Sequence, residues 1–116
     1  MTRHDPLHSY RDMLAYAQEA VVLTHGKQRR NLDTDRLLNL ALVRLLEIIG
    51  EAANRTPVQE QRRHPAIPWA QIVGLRNRLI HGYDAVDFDI LWEVVTQDLP
   101  SLVDSLEAII SSEEPD

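Results

Sequence analysis

Arg76, His81 and Tyr83 fall within eight residues, in the run Leu75-Arg76-Asn77-Arg78-Leu79-Ile80-His81-Gly82-Tyr83-Asp84. Histidine moves a proton near neutral pH. Arginine grips phosphate through a planar fork and stabilises charge growing on it. Together they suit RNA cleavage without a metal. There the ribose 2′-hydroxyl attacks the adjacent phosphorus and the leaving oxygen takes up a proton. No HExxH or HxxEH pattern or carboxylate cluster proposes a metal instead, so neither metal nor cofactor is expected.

The same residues have plain structural uses. A histidine near a helix C-terminus caps carbonyls, arginines sit on surfaces, and a tyrosine packs its ring with the hydroxyl in water. If the run were one straight helix, Arg76 and His81 would lie about 140° apart around it, off a common stripe. Trp69 and Trp92 are expected as core or interface anchors rather than base-stacking platforms.

The elements that must hold this run are helical. Asp5-Pro6 reads as an N-cap with proline at the first helical position, opening an amphipathic helix from Leu7 to Val22 that stops before Gly26. Asp33-Thr34-Asp35 opens a second helix, rich in leucine. Its apolar residues exceed one stripe, which calls for two partners: the core and a second subunit. Gly50, Ala52 and Ala53 permit close helix approach. Glu47 and Glu51 on this helix read as a solvated or salt-bridged face before catalytic carboxylates.

Thr56-Pro57-Val58-Gln59 fits a capping box for a short helix closed by Pro65. Pro68-Trp69 begins the helix that carries Arg76 and ends near Gly82. Asp87 is the expected N-cap of the last helix, kinked at Pro100, with residues 111–116 a frayed acidic tail. No stretch alternates like a strand. The expected fold is an all-α up-and-down bundle of four main helices plus a short one, in a single domain over 1–116.

The 116 residues contain no cysteine, no apolar run long enough for a membrane span, and no basic-then-apolar export pattern at the start; a cytoplasmic protein is expected. The net charge of −6 argues against a general nucleic-acid coat protein. The charge is uneven, however. Residues 55–83 hold five arginines and one acid, whereas residues 84–116 hold ten acids and no lysine or arginine.

Arg76-Asn77-Arg78-Leu79-Ile80-His81-Gly82-Tyr83 resembles the RxxxxHxY motif of the HEPN superfamily, most closely its HepT-like branch. The resemblance extends through Ile48-Ile49-Gly50-Glu51-Ala52-Ala53, Ile67-Pro68-Trp69, Tyr83-Asp84-Ala85-Val86-Asp87 and Leu99-Pro100-Ser101-Leu102. It implies an all-α homodimer whose motif residues form a metal-independent ribonuclease site, the toxin of a toxin-antitoxin pair. Arg76 and His81 would be the catalytic pair. Tyr83 would accept AMP from a minimal nucleotidyltransferase antitoxin. The added phosphate would repel RNA. Arg78 and Asn77 would be candidates for phosphate contact. Asp84, Asp87 and Asp89 are then expected to face solvent, away from the cleft. The competing reading is a non-catalytic HEPN dimer that binds a nucleotidyltransferase partner or a nucleotide.

Overall fold

Asp5 caps the first helix as its spacing predicts. Its side chain accepts the Leu7 backbone N–H at 3.0 Å, and Pro6 occupies the first helical position. In a computed structural model, which describes residues 5–81 and 85–113, this helix is α1 (Pro6–Leu23). It buries Tyr10, Met13, Ala17 and Ala20, a three-and-four-residue stripe. Val22 faces solvent instead of joining that stripe. Gly26 follows with φ of 72°, a left-handed turn that glycine adopts without strain.

A single turn, α2 (Asn31–Thr34), precedes the long α3 (Arg36–Arg55). Asp35 alone caps α3, accepting from Leu38 N–H at 3.0 Å. The buried Asn39 donates to the Leu32 carbonyl at 2.9 Å and fastens α2 to α3. α3 packs along α1 through Leu38, Leu42, Leu45, Leu46 and Ile49.

Thr56 closes α3 rather than opening the next helix: its hydroxyl donates to the Ala52 carbonyl at 3.1 Å. Pro57 has ψ of 144°, outside the helical range, so α4 (Val58–Arg63) begins one residue later and without a side-chain cap. Two five-residue pieces follow, α5 (Trp69–Val73) and α6 (Leu75–Leu79). The last long element joins α7 (Phe88–Glu93), a π turn (Val94–Asp98) and α8 (Leu99–Glu113). Asp87 caps α7, accepting from Ile90 N–H at 3.0 Å. Pro100 has no N–H to donate, and the wide turn just before it absorbs the mismatch.

The architecture is all-α, as expected, with α1, α3, the α5–α6 arm and the α7–α8 rod as its main members and α4 as the short one. α1 lies against both α3 and α8. The buried side chains form one contiguous core spanning Tyr10 to Ile109. Trp69 is buried in it, its indole N–H donating to the His64 carbonyl, and Trp92 packs at its edge. Residues 111–113 are not frayed. α8 runs to Glu113, whose carboxylate meets Arg63 at 2.6 Å. Among the described residues no helix is long and apolar enough to cross a membrane.

Candidate active site

The arm bearing Arg76 is not the single helix that the apolar spacing predicts. It breaks at Gly74 and ends at Leu79. A Cβ at Gly74 would come within 3.1 Å of the Ala70 carbonyl, so glycine relieves a tight contact at the break. Ile80 is extended (φ −105°, ψ 117°) and pairs with Val86 in an isolated antiparallel bridge. His81 N–H donates to the Ala85 carbonyl at 2.7 Å and Asp87 N–H to the Leu79 carbonyl at 2.8 Å. His81 is therefore off the helix, and the 140° separation expected on a continuous helix does not apply. Nor does its backbone N–H cap α6; the Ile80 N–H does so, on the Arg76 carbonyl.

The bridge brings Asp87 to His81. His81 Nε2 lies 3.9 Å from Asp87 Oδ2, while Asp87 Oδ1 is engaged in capping α7. One carboxylate thus fixes the start of α7 and faces the imidazole. Asp87 does not point away to solvent as expected, because the backbone pairing at Leu79 carries it back to the motif. Asp89 does point away, held by Arg29 at 2.7 Å. Gly82, Tyr83 and Asp84 lie outside the described residues.

Arg76 leans the other way, toward α3. Its Nη1 lies 3.8 Å from Glu47 Oε2. Glu47 in turn lies 3.9 Å from Arg44, which reaches Glu51 at 3.6 Å. The salt-bridged reading of Glu47 and Glu51 holds, but one partner of Glu47 is the motif arginine. That link joins residues 29 positions apart, and no local spacing announces it. Leu46, Glu47, Gly50, Glu51, Asn54, Val73 and Arg76 line a shallow groove of about 230 Å³. Gly50 lets α3 and α5 meet there; a Cβ on it would stand 3.1 Å from the Ile72 carbonyl.

Arg76 and His81 keep 71% and 59% of their side-chain surface exposed, so both heads are open to a ligand. No hydrogen bond joins them among the described residues; each has a different carboxylate within 4 Å. Asn77 is exposed on α6. Arg78 lines a different cavity, against the π turn and α8.

One group of possible metal ligands exists among the described residues, Glu60, His64 and Glu113, with donor atoms within 4.8 Å of one another. It lies on α4 and α8, apart from the motif arm. Arg63 spans its two carboxylates at 2.6 to 3.1 Å, and these bonds hold the guanidinium above its ordinary pKa. The Tyr10 hydroxyl donates to Glu60 at 3.1 Å. Burial and that hydrogen bond push the hydroxyl well above its ordinary pKa. The cluster is an ion-pair network in which Arg63 balances one of the two carboxylate charges, and His64 Nε2 is buried beside it without a hydrogen-bond partner among the described residues.

The fold is all-helical and exposes an arginine and a histidine on one arm, and comparison with known proteins supplies the family. The profile of the family described as Ribonuclease HepT-like matches residues 13–109. The chain belongs to this HepT-like family of the HEPN superfamily. It is 37% identical over 105 residues to the protein named Probable ribonuclease HepT of Thermococcus cleftensis, covering 87% of this chain and 96% of that one. It is 31% identical over 109 residues to a protein of Methanocaldococcus jannaschii named as a Putative RNase, covering 94% of this chain and all of the other. Similarity to a Putative RNase of Caldanaerobacter subterraneus reaches 39% over 79 residues, covering 68% of this chain and 70% of that one. No solved structure matches the chain.

Proposed function

We propose that this protein is a metal-independent RNA endonuclease, the toxin of a toxin-antitoxin pair, with Arg76 and His81 as its catalytic residues. The observation that carries the reading is the posture of these two side chains. Both are solvent-open, and each has a carboxylate from a neighbouring segment within 4 Å (Glu47 for Arg76, Asp87 for His81). Arg76 stabilises the charge of the five-coordinate phosphorus transition state. His81 handles the proton of the attacking 2′-hydroxyl or of the leaving oxygen.

The reading includes a homodimer. Leu37 and Leu40 are 81% and 48% exposed on α3, an uncommon placement for two leucines on one stripe. Arg44, Glu47 and Glu51 continue that stripe toward Arg76. A second copy on this face covers the leucines and brings its own motif arm to the same cleft. Tyr83 is the AMP acceptor for a nucleotidyltransferase antitoxin. The transferred phosphate puts negative charge two residues from His81 and turns RNA away.

The test is an oligoribonucleotide carrying one 2′-deoxy residue on the 5′ side of the mapped cut. The expected result is loss of cleavage at that position, with 2′,3′-cyclic phosphate ends from the unsubstituted RNA. Cleavage that ignores the missing hydroxyl and leaves 5′-phosphate ends sinks the mechanism. An inert protein that binds a nucleotidyltransferase tightly supports the non-catalytic alternative. For Tyr83, intact mass after incubation with an active partner and ATP should rise by AMP units, and not in Tyr83→Phe.

A further inference from the structure

A second concavity lies on the far side of the motif arm from the Arg76 groove. It is a half-open cleft of about 280 Å³ between α5–α6 and the π turn with α8, with Gln97 and Asp98 exposed at its edge. Ile72, Leu75 and Leu102 are among its apolar walls, and Arg78, Gln97 and Asp98 stand among its polar groups. Resting on the ribonuclease reading above, we propose that this cavity is a nucleobase subsite, which reads one base of the RNA near the cut and prefers guanine.

Four observations lead there. The volume, about nine waters at roughly 30 Å³ each, leaves room for a nucleobase. The lining combines apolar walls with amide, carboxylate and hydroxyl groups, which fits a flat ligand with apolar faces and polar edges. Arg78 is half-buried and has no ion pair among the described residues, so its charge is free for a phosphate. Asp98 carries only acceptors when ionised, and guanine alone among the four bases presents two adjacent N–H donors on one edge to a single carboxylate.

The path to the cut is short. Arg76 and Arg78 point roughly 200° apart around α6. The exposed Asn77 lies between them in sequence. A strand whose scissile phosphate sits at Arg76 crosses the solvent side of a helix ~10 Å wide to reach the cavity. One or two nucleotides cover that distance, so the base read is one or two positions from the cut. The π turn contributes the cavity's Gln97 and Asp98, which gives that local irregularity a use beyond accommodating Pro100.

Ser105 also lines the cavity, on α8, and Ser105→Trp fills it; Ala66→Trp fills it from the loop side should the first variant misfold. Binding of GMP, AMP, CMP and UMP is followed by amide chemical shifts on wild type and on the folded variant. The expected result is saturable GMP binding, about 10-fold or more tighter than UMP, with shifts at Gln97 and Asp98 that vanish on filling. Equal binding by wild type and the filled variant, or no saturable GMP binding, overturns the proposal. Cleavage of an RNA randomised around one site is run in parallel. Wild type should enrich guanine one or two positions from the cut, and the filled variant should cut without that preference. Guanine binding without any cleavage leaves the subsite standing and removes the ribonuclease reading. Cleavage with a base preference that filling does not change does the reverse.

Discussion

His81 Nε2 and Asp87 Oδ2 lie 3.9 Å apart because the backbone pairs Ile80 with Val86 between them. Asp87 has two separable tasks, since its other oxygen caps α7. Asp87→Asn keeps a good capping group but loses the charge beside His81; Asp87→Ala loses both. Chemical denaturation should show Asp87→Ala less stable by about 1 kcal/mol and Asp87→Asn near wild type. RNA cleavage should fall in both by about 10-fold or more, the scale of a poorly oriented catalytic group. Full activity in Asp87→Asn would show that the carboxylate only caps.

Glu47 and Arg76 make the matching pair on the other side of the arm. Arg76 is mostly exposed, so this pair adds under about 1 kcal/mol to stability. Glu47→Gln should leave the melting temperature nearly unchanged. It should lower kcat by about 10-fold or more while KM stays close to wild type, because it releases a positioned guanidinium. A raised KM with normal kcat would assign Glu47 to substrate binding instead.

Gly50 sets the distance between α3 and the arm. In Gly50→Ala the new methyl meets a backbone carbonyl, which cannot swing aside like a side chain. The expected cost is about 1 to 3 kcal/mol, read as a lower denaturation midpoint. Activity should fall with it, since the displaced backbone leads directly into Arg76.

Leu37 and Leu40 test the dimer. Replacing both with serine removes exposed apolar surface without touching the core. Sedimentation equilibrium should show a dimer for wild type and a monomer for the double variant, with cleavage lost on dilution. An unchanged dimer would place the interface elsewhere.

Tyr10 gives a pH dependence with a definite sign. Its hydroxyl keeps its proton more tightly in the folded chain than the ordinary value of 10.0. The folded state therefore binds more protons above about pH 10, and stability falls as pH rises through that range. Tyr10→Phe should be less stable at neutral pH by about 1 kcal/mol for the lost hydrogen bond. Its stability should also decline less between pH 9 and pH 11. Parallel declines in the two proteins would contradict the assignment.

The caps at Asp5 and Asp87 and the all-helical pattern were legible because each depends on residues within one turn. So was the surplus of leucine on α3. Thr56 misleads because the capping-box spacing is satisfied while Pro57 takes an extended ψ and moves the helix start. The break at Gly74 is hidden because Ile72, Leu75 and Leu79 keep a helical rhythm across it. Glu47 against Arg76 and Asp87 against His81 arise from tertiary packing and a backbone bridge, and neither has a local signal. The run from Arg76 to His81 could be picked out in the sequence; the carboxylates that stand beside its two ends could not.

In the proposed mechanism Arg76 and His81 cut RNA together. Protein purified without its partner, with Tyr83 unmodified by mass, is mixed in excess with a labelled RNA in EDTA, and single-turnover rates are compared. Cleavage by wild type, with losses on the order of 10² to 10⁴ in each of Arg76→Ala and His81→Ala while both variants keep the wild-type melting temperature, is the predicted result. Undiminished cleavage in either variant, or none by the unmodified wild type, would contradict it.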